Sequence, residues 1–321
     1  MFQLDYSPFG KYEKLTLQHP VTGQSLSVIP ERGACLISLI LDGVEVLDAY
    51  PTPEEVDFNR WGKSGILLPF PNRLKDGQFH WDGKDYQFPI NDGGTNNALH
   101  GFGMDLAFSV THVNLNERSA WLELTTHYEG DRDYYPFPFT AGIILRLDAP
   151  RQFSMTMFFR NDGQQELPAG LGWHPYFSLG ERIADHRLQL PELQMVGIDD
   201  RMIPTGKRYP YDEFTRRKVI GATVLDNCFA VPQQGVEVGV HLFGTEGHLR
   251  YWQSTGPGKF NFMQLFTPPY GTSIAIEPMT CNVDAFNNGD GLARLAAGEE
   301  LRAEAGLVMY ARSGNSTTEE Q

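Results

Sequence analysis

Apolar and polar residues alternate along this chain in short runs separated by turn residues, and nowhere does an apolar period of 3.6 persist for three helical turns. Alternation of period two sends successive side chains to opposite faces of a strand. The pattern predicts strands at 14–18 and 24–29 around His19-Pro20-Val21-Thr22-Gly23, at 36–41 and 44–47 around Asp42-Gly43, and at 78–81 and 84–88 around Asp82-Gly83. Further strands are predicted at 120–128, 142–147, 152–160, 236–242, 260–266 and 301–310, with Asn161-Asp162-Gly163 joining one pair. Thr52-Pro53-Glu54-Glu55 combines an N-cap residue, proline at the first helical position and acids in the first turn, which predicts a short helix to about Arg60.

Two stretches carry more than a fold signal. In 273–278, Ile274 and Ile276 share one face, while Ser273, Ala275 and Glu277 share the other; a carboxylate beside small side chains leaves room for a ligand. Pro278, without an N–H, is expected to end that ladder. In 169–175, Gly170, Gly172 and His174 share a face opposite Leu171 and Trp173. The two stretches predict a carboxylate and an imidazole standing over cleared surfaces.

Well over a dozen strands without an internal repeat or a linker-like shift of composition point to an all-β protein, a large antiparallel β-sandwich with few short helices. One domain is expected over 1–312, with a polar, mobile tail at 313–321. Aromatic residues at 12%, 33 Gly and 21 Pro agree with strands joined by tight turns. A net charge of −14 argues against nucleic acid or an anionic membrane as partner. No signal peptide or long apolar run is read, and Cys35, Cys228 and Cys281 form no paired framework, so a cytoplasmic location is expected.

Several residues have the chemistry to bind or react. Asn72-Arg73 leaves an apolar run at 66–70 and offers ligand hydroxyls both donors and an acceptor, or else makes a turn and a surface ion pair. His100 sits between Asn96-Asn97 and Gly101, where it is a ligand contact or a loop histidine bonded to backbone. His174 precedes Pro175 in an aromatic cluster, and Asp226 either accepts from a polyol or closes an Asx-turn. Arg201 to Gly206 reads as a turn. No metal spacing, phosphate loop or G-x-S-x-G nucleophile is present.

Taken in order, Asn72-Arg73, Leu99-His100-Gly101, His174-Pro175-Tyr176-Phe177, Ile203-Pro204-Thr205-Gly206, Leu225-Asp226-Asn227-Cys228-Phe229 and Ala275-Ile276-Glu277-Pro278 resemble the aldose 1-epimerase (galactose mutarotase) family. The resemblance implies a β-sandwich with an open sugar cleft, no cofactor and no metal, and an aldose as partner. It implies Glu277 and His174 as the catalytic pair and Asn72, Arg73, His100 and Asp226 as sugar-binding residues. The chain departs from the familiar pattern at Trp173, Asn227 and Phe102, which bears on the preferred sugar.

Anomerisation requires the C1 hydroxyl to lose a proton while the ring oxygen gains one. Ordinary values leave a glutamate ionised and a histidine able to donate, so Glu277 is the expected base and His174 the acid, on opposite sides of the sugar. Trp173, Phe102 or Tyr176 would offer an apolar face. Alternatives are a hexose-6-phosphate 1-epimerase gripping phosphate with Arg73, Arg201 and Lys207, a non-catalytic sugar sensor, a metalloenzyme using His100, His174 and Glu277, and a glycosidase with Asp226 as second carboxylate.

Overall fold

The computed structural model describes residues 1–233 and 235–312. The tail expected at 313–321 lies outside the described residues. Within them the chain builds a nine-stranded, an eight-stranded and a five-stranded sheet plus three two-stranded ribbons. Every ladder is antiparallel, as short turns between sequential strands require.

The nine-stranded sheet runs in order through Ser109–Leu115, Ser119–Tyr128, Phe139–Asp148, Gln152–Asn161, Glu300–Ala311, Gly247–Ser254, Glu237–Phe243, Arg187–Gln189 and Lys218–Val219. Its inward residues alternate along each strand: Leu122 and Leu124, Ile143 and Leu145, Met155 and Met157 are all buried. They share one hydrophobic cluster with Ile274, Ile276 and Trp173 of the eight-stranded sheet. Phe153 and Trp173 meet at 5.9 Å between ring centroids, and Phe177 and Tyr251 at 6.2 Å, so the two sheets pack face to face as a sandwich.

The eight-stranded sheet positions the site. Strand Ile274–Met279 lies at its centre, between Phe262–Phe266 on one side and Gly172–His174 and Tyr176–Phe177 on the other. Pro278 does not end this ladder: it faces Met263 and the strand continues to Met279. A proline is tolerated where its missing donor is not part of a ladder bond.

Asn161-Asp162-Gly163 likewise does not join a paired hairpin. The chain passes from Gln152–Asn161 to Leu167–Ala169, which pairs with Ala293–Leu295. The Asn161 side chain accepts from Gly163 N and donates to the carbonyls of Gln165 and Leu295, redirecting the backbone away from its own sheet. The predicted helix is present as Pro53–Phe58, capped by Thr52, whose hydroxyl accepts from Glu55 N at 3.3 Å. It ends at Asn59, in the left-handed region at φ 49°, and a 3₁₀ turn Arg60–Gly62 follows. No helix among the described residues is long and apolar enough to cross a membrane.

Candidate active site

All six residues singled out as catalytic or sugar-binding, Glu277, His174, Asn72, Arg73, His100 and Asp226, line one open cavity of about 530 Å³ on the outer face of the eight-stranded sheet. The alternation in Ile274–Met279 explains how Glu277 arrives there: Ile274 and Ile276 enter the core, and Glu277 points the other way. In Gly172–His174 the same rule sends Trp173 inward and His174 into the cavity.

The glycines beside His174 do not clear a ligand surface. A Cβ at Gly170 would lie 2.4 Å from Cys281 Sγ, and one at Gly172 would lie 2.8 Å from Pro71 Cβ. Their space is filled by the chain's own Pro71 segment, which brings Asn72 and Arg73 to the cavity wall. Trp173 and Phe102, expected as sugar-facing rings, are core residues. The aromatic lining comes from Tyr176, Phe266 and Trp61 instead.

His174 and Glu277 stand side by side, with Nε2 3.4 Å from Oε1. That contact is longer than a good hydrogen bond. Glu277 is 1% exposed and its Oε2 has no hydrogen-bond partner; His174 Nδ1 is also unpartnered. Burial without donors pushes the Glu277 carboxyl well above its ordinary value, reinforced by Asp226 and opposed by Arg73. Burial pushes the His174 imidazole down to about 3. Both shifts run against an ion pair at this contact and away from the ordinary ionisation expected of free side chains.

Tyr176 stacks on the His174 ring at 4.9 Å and 13°, and its hydroxyl donates to Trp61 O at 3.0 Å. His100 meets His174 edge to face at 5.2 Å. Its Nδ1 accepts from Asn72 N at 3.1 Å, which places the proton of the neutral ring on Nε2. Burial first, then His174 and Arg73, hold the His100 imidazole well below its usual value, so it is an uncharged donor.

A relay of side chains continues the lining beside Glu277. Asn72 Oδ1 accepts from Arg73 N, and Asn72 Nδ2 donates to Gln264 Oε1 at 3.2 Å. Gln264 Nε2 donates to Asp226 Oδ1 at 2.9 Å. Asp226 is raised by burial, with Arg73 pulling the other way. Arg73 Nε is held by Asp92 Oδ2 at 2.8 Å. Gln264 was invisible to local pattern; it belongs here because its strand places it directly opposite Glu277. Asn91, Met104 and Trp61 also line the cavity and were not anticipated.

Arg201 is more than a turn residue, though it is not in the lining. It donates to Asp76 Oδ1, Thr95 O and Asn96 O, and its carbonyl accepts from Asn97 Nδ2. The loop carrying Asn91 and Asp92 is thereby fastened to the 199–203 turn. Lys207 does not line the cavity either. Among the described residues, no cluster of three His, Cys, Asp or Glu side chains converges as a metal site.

The aldose 1-epimerase family model matches residues 13–307. The chain is 28% identical over 286 residues to the uncharacterized protein YihR of Escherichia coli strain K12, a match covering 84% of this chain and 85% of that protein. It is also 28% identical over 145 residues to the galactose mutarotase of Sus scrofa, covering 43% of this chain and 40% of the relative. In architecture it is similar to a galactose mutarotase-like protein of Clostridium acetobutylicum, with a TM-score of 0.85 at 19% identity over 97% of this chain and 99% of that one. Galactose 1-epimerase of Lactobacillus acidophilus gives 0.80 at 18% identity, with coverage of 97% and 99%. A match spanning nearly the whole described chain, on this fold, places the protein in the aldose 1-epimerase family.

Proposed function

We propose that the protein interconverts the α and β anomers of a free hexose by acid–base ring opening and closure, without cofactor or metal. The observation that carries this reading is the buried Glu277 carboxyl lining a sugar-sized cavity, with Oε2 unpartnered and Oε1 3.4 Å from His174 Nε2. A buried carboxyl oxygen left without a partner is costly unless a ligand supplies one.

Acid and base on one side of the sugar suit the reaction. The C1 hydroxyl oxygen and the ring oxygen are bonded to the same carbon, so the groups serving them must be neighbours. This replaces the expectation of opposed groups, for which a 3.4 Å separation leaves no room.

The pair holds one mobile proton, at rest on the carboxyl. Transfer across to Nε2 creates the carboxylate and imidazolium, with sugar hydroxyls and Arg73 compensating charge. Glu277 then takes the C1 hydroxyl proton while His174 gives one to the ring oxygen. The C1–O5 bond breaks, C1 becomes an aldehyde, the C1–C2 bond rotates, and closure on the other face runs the transfers in reverse. His100 Nε2 and Arg73 supply donors, and Asp226 accepts from distal hydroxyls. A positioned acid or base contributes about 10²–10⁴-fold.

A phosphate-gripping variant finds little to recommend it. Arg73 is the one lysine or arginine in the lining and is already paired with Asp92, while Arg201 is committed to Asp76.

Saturation-exchange NMR on glucose and galactose, with wild type beside Glu277→Gln, tests the reading. Wild type should accelerate anomer exchange, and the variant should bind sugar yet lose about 10²-fold or more of kcat. Equal rates in the two proteins remove Glu277 from the mechanism; binding without acceleration by wild type makes the protein a sugar sensor. Wild-type activity should also survive exhaustive chelation, and loss restored by a divalent ion would refute metal independence.

A further inference from the structure

Four aromatic rings form a strip that leads away from the reacting pair. Tyr176, stacked on His174, lies 6.4 Å from Phe266; Phe266 lies 6.0 Å from Trp61; Trp61 lies 5.9 Å from Tyr270. Exposure rises along it, from 1% at Tyr176 to 38% at Tyr270, with Phe266 and Trp61 half-buried between them. The first three rings line the cavity, and Tyr270 stands beyond its lining.

The outer half of this strip is held in place by its own framework. Trp61 adopts φ 70°, inside a loop where Asn59, Gly62 and Ser64 also have positive φ. A bulky residue in that region is strained, and the surroundings must over-determine it. Here the Tyr176 hydroxyl holds the Trp61 carbonyl, and Ser64 N donates to His174 O at 2.8 Å. The Tyr270 hydroxyl donates to Asp48 Oδ2, an atom that also accepts from Ser273 Oγ at 2.6 Å. Lys63 pairs with the other Asp48 oxygen and lies 5.2 Å from the Tyr270 ring centroid. Arg60 lies over Trp61 at 5.3 Å and brings guanidinium donors beside the strip.

Glu277, His174, Tyr176 and Phe266 line the cavity together, and Tyr270 lies outside that lining. We infer that Trp61 and Tyr270, with Arg60, form an outer subsite for a second pyranose ring, so that the favoured substrate is the reducing end of a disaccharide or longer glycan. The inference rests on the proposed anomerase reading and names its substrate class. Aromatic rings take the C–H faces of sugars, and a planar fork of donors takes their hydroxyls. A sugar that enters anomeric end first leaves its non-reducing side at the mouth, where the strip emerges. Lys63, the other cation here, is already paired with Asp48, so the strip offers no pair of free cations for an acidic substituent.

The test measures anomerisation of glucose, maltose and cellobiose, which share a glucose reducing end, by wild type, Tyr270→Ala and Tyr270→Phe, with Trp61→Phe as a second site. In wild type, kcat/KM for at least one disaccharide should exceed that for glucose by about fivefold or more, and Tyr270→Ala should cut that ratio by about fivefold. Tyr270→Phe, which keeps the ring, should preserve most of the ratio. The subsite is refuted if neither disaccharide outruns glucose in wild type, or if Tyr270→Ala slows glucose and disaccharide equally. If wild type anomerises no sugar, the function proposal fails separately, and calorimetric titration decides the subsite. Disaccharide binding tighter than glucose, lost in Tyr270→Ala, upholds it; equal or absent binding overturns it.

Discussion

At Glu277 and His174 the order of proton affinities is reversed from that of free side chains. An exposed pair would hold its single proton on the histidine, between about pH 4.3 and 6.5. Burial takes the imidazole down to about 3 and pushes the carboxyl up, which widens the pH range over which the pair holds one proton. The expected kcat/KM profile therefore has no midpoint near 6.5, and its alkaline limb is set by Glu277. A stopped-flow polarimetric profile with a midpoint near 6.5 would mean that His174 titrates as a solvent-exposed ring, and the neutral resting pair would be wrong. The residue types at this site were readable because each is chemically distinctive and, apart from Glu277 inside Ile274–Met279, sits at a turn or strand end. Gln264 and Trp61 were not, since one earns its place through cross-strand register and the other through a chain of left-handed residues that no local pattern announces.

Among elements, hairpins with Asp-Gly turns were legible to within a residue or two, as in Cys35–Leu41 with Val44–Glu45 and Gln78–Trp81 with Lys84–Gln87. Local turn chemistry encodes them. Gln3–Phe9, Ser109–Leu115 and Pro204–Tyr211, which escaped notice, are mostly exposed edge strands with a partner on one side only, whereas Leu193–Ile198 and Gly247–Ser254, missed as well, are interior strands. Asp226 was read as a polyol acceptor or an Asx-turn residue without a strand around it; it opens Asp226–Ala230, whose pairing with Phe262–Phe266 is a non-local event. The Gly170–Gly172 stretch was legible as unusual but not as to cause: its small side chains admit Cys281 and the Pro71 segment. Gly170→Ala should cost about 1–3 kcal/mol by overpacking against Cys281 and shift the Pro71 segment, seen as a lower denaturation midpoint and a raised KM. An unchanged midpoint would show that this contact relaxes freely. The nearby Arg201 clamp illustrates the same limit, because its partners at Asp76, Thr95 and Asn96 lie far from it in sequence.

For the whole molecule, buried histidines decide how stability responds to mild acid. Burial lowers His100, His174, His186, His241 and His248. Between pH 6.5 and 5 an unfolded chain protonates these rings at their ordinary affinity while the folded chain resists. Glu277, Asp226 and Asp284 act in the opposite sense, because burial raises them and the folded state then holds protons that the unfolded state has released. The histidines favour proton uptake on unfolding and the carboxyls oppose it; with the histidines the larger set, the free energy of unfolding is expected to fall as pH falls through this window. The histidine contribution is complete above about pH 6.5 and is drawn down below it. A melting temperature about 5 °C lower at pH 5 than at pH 7 is expected by differential scanning calorimetry at fixed ionic strength. A melting temperature that rises over the same interval would mean that the raised carboxyls outweigh the histidines. The added variant His186→Gln separates the cases away from the cavity: it removes one proton-binding ring and should flatten the slope, whereas a slope due to carboxylates alone would be unmoved.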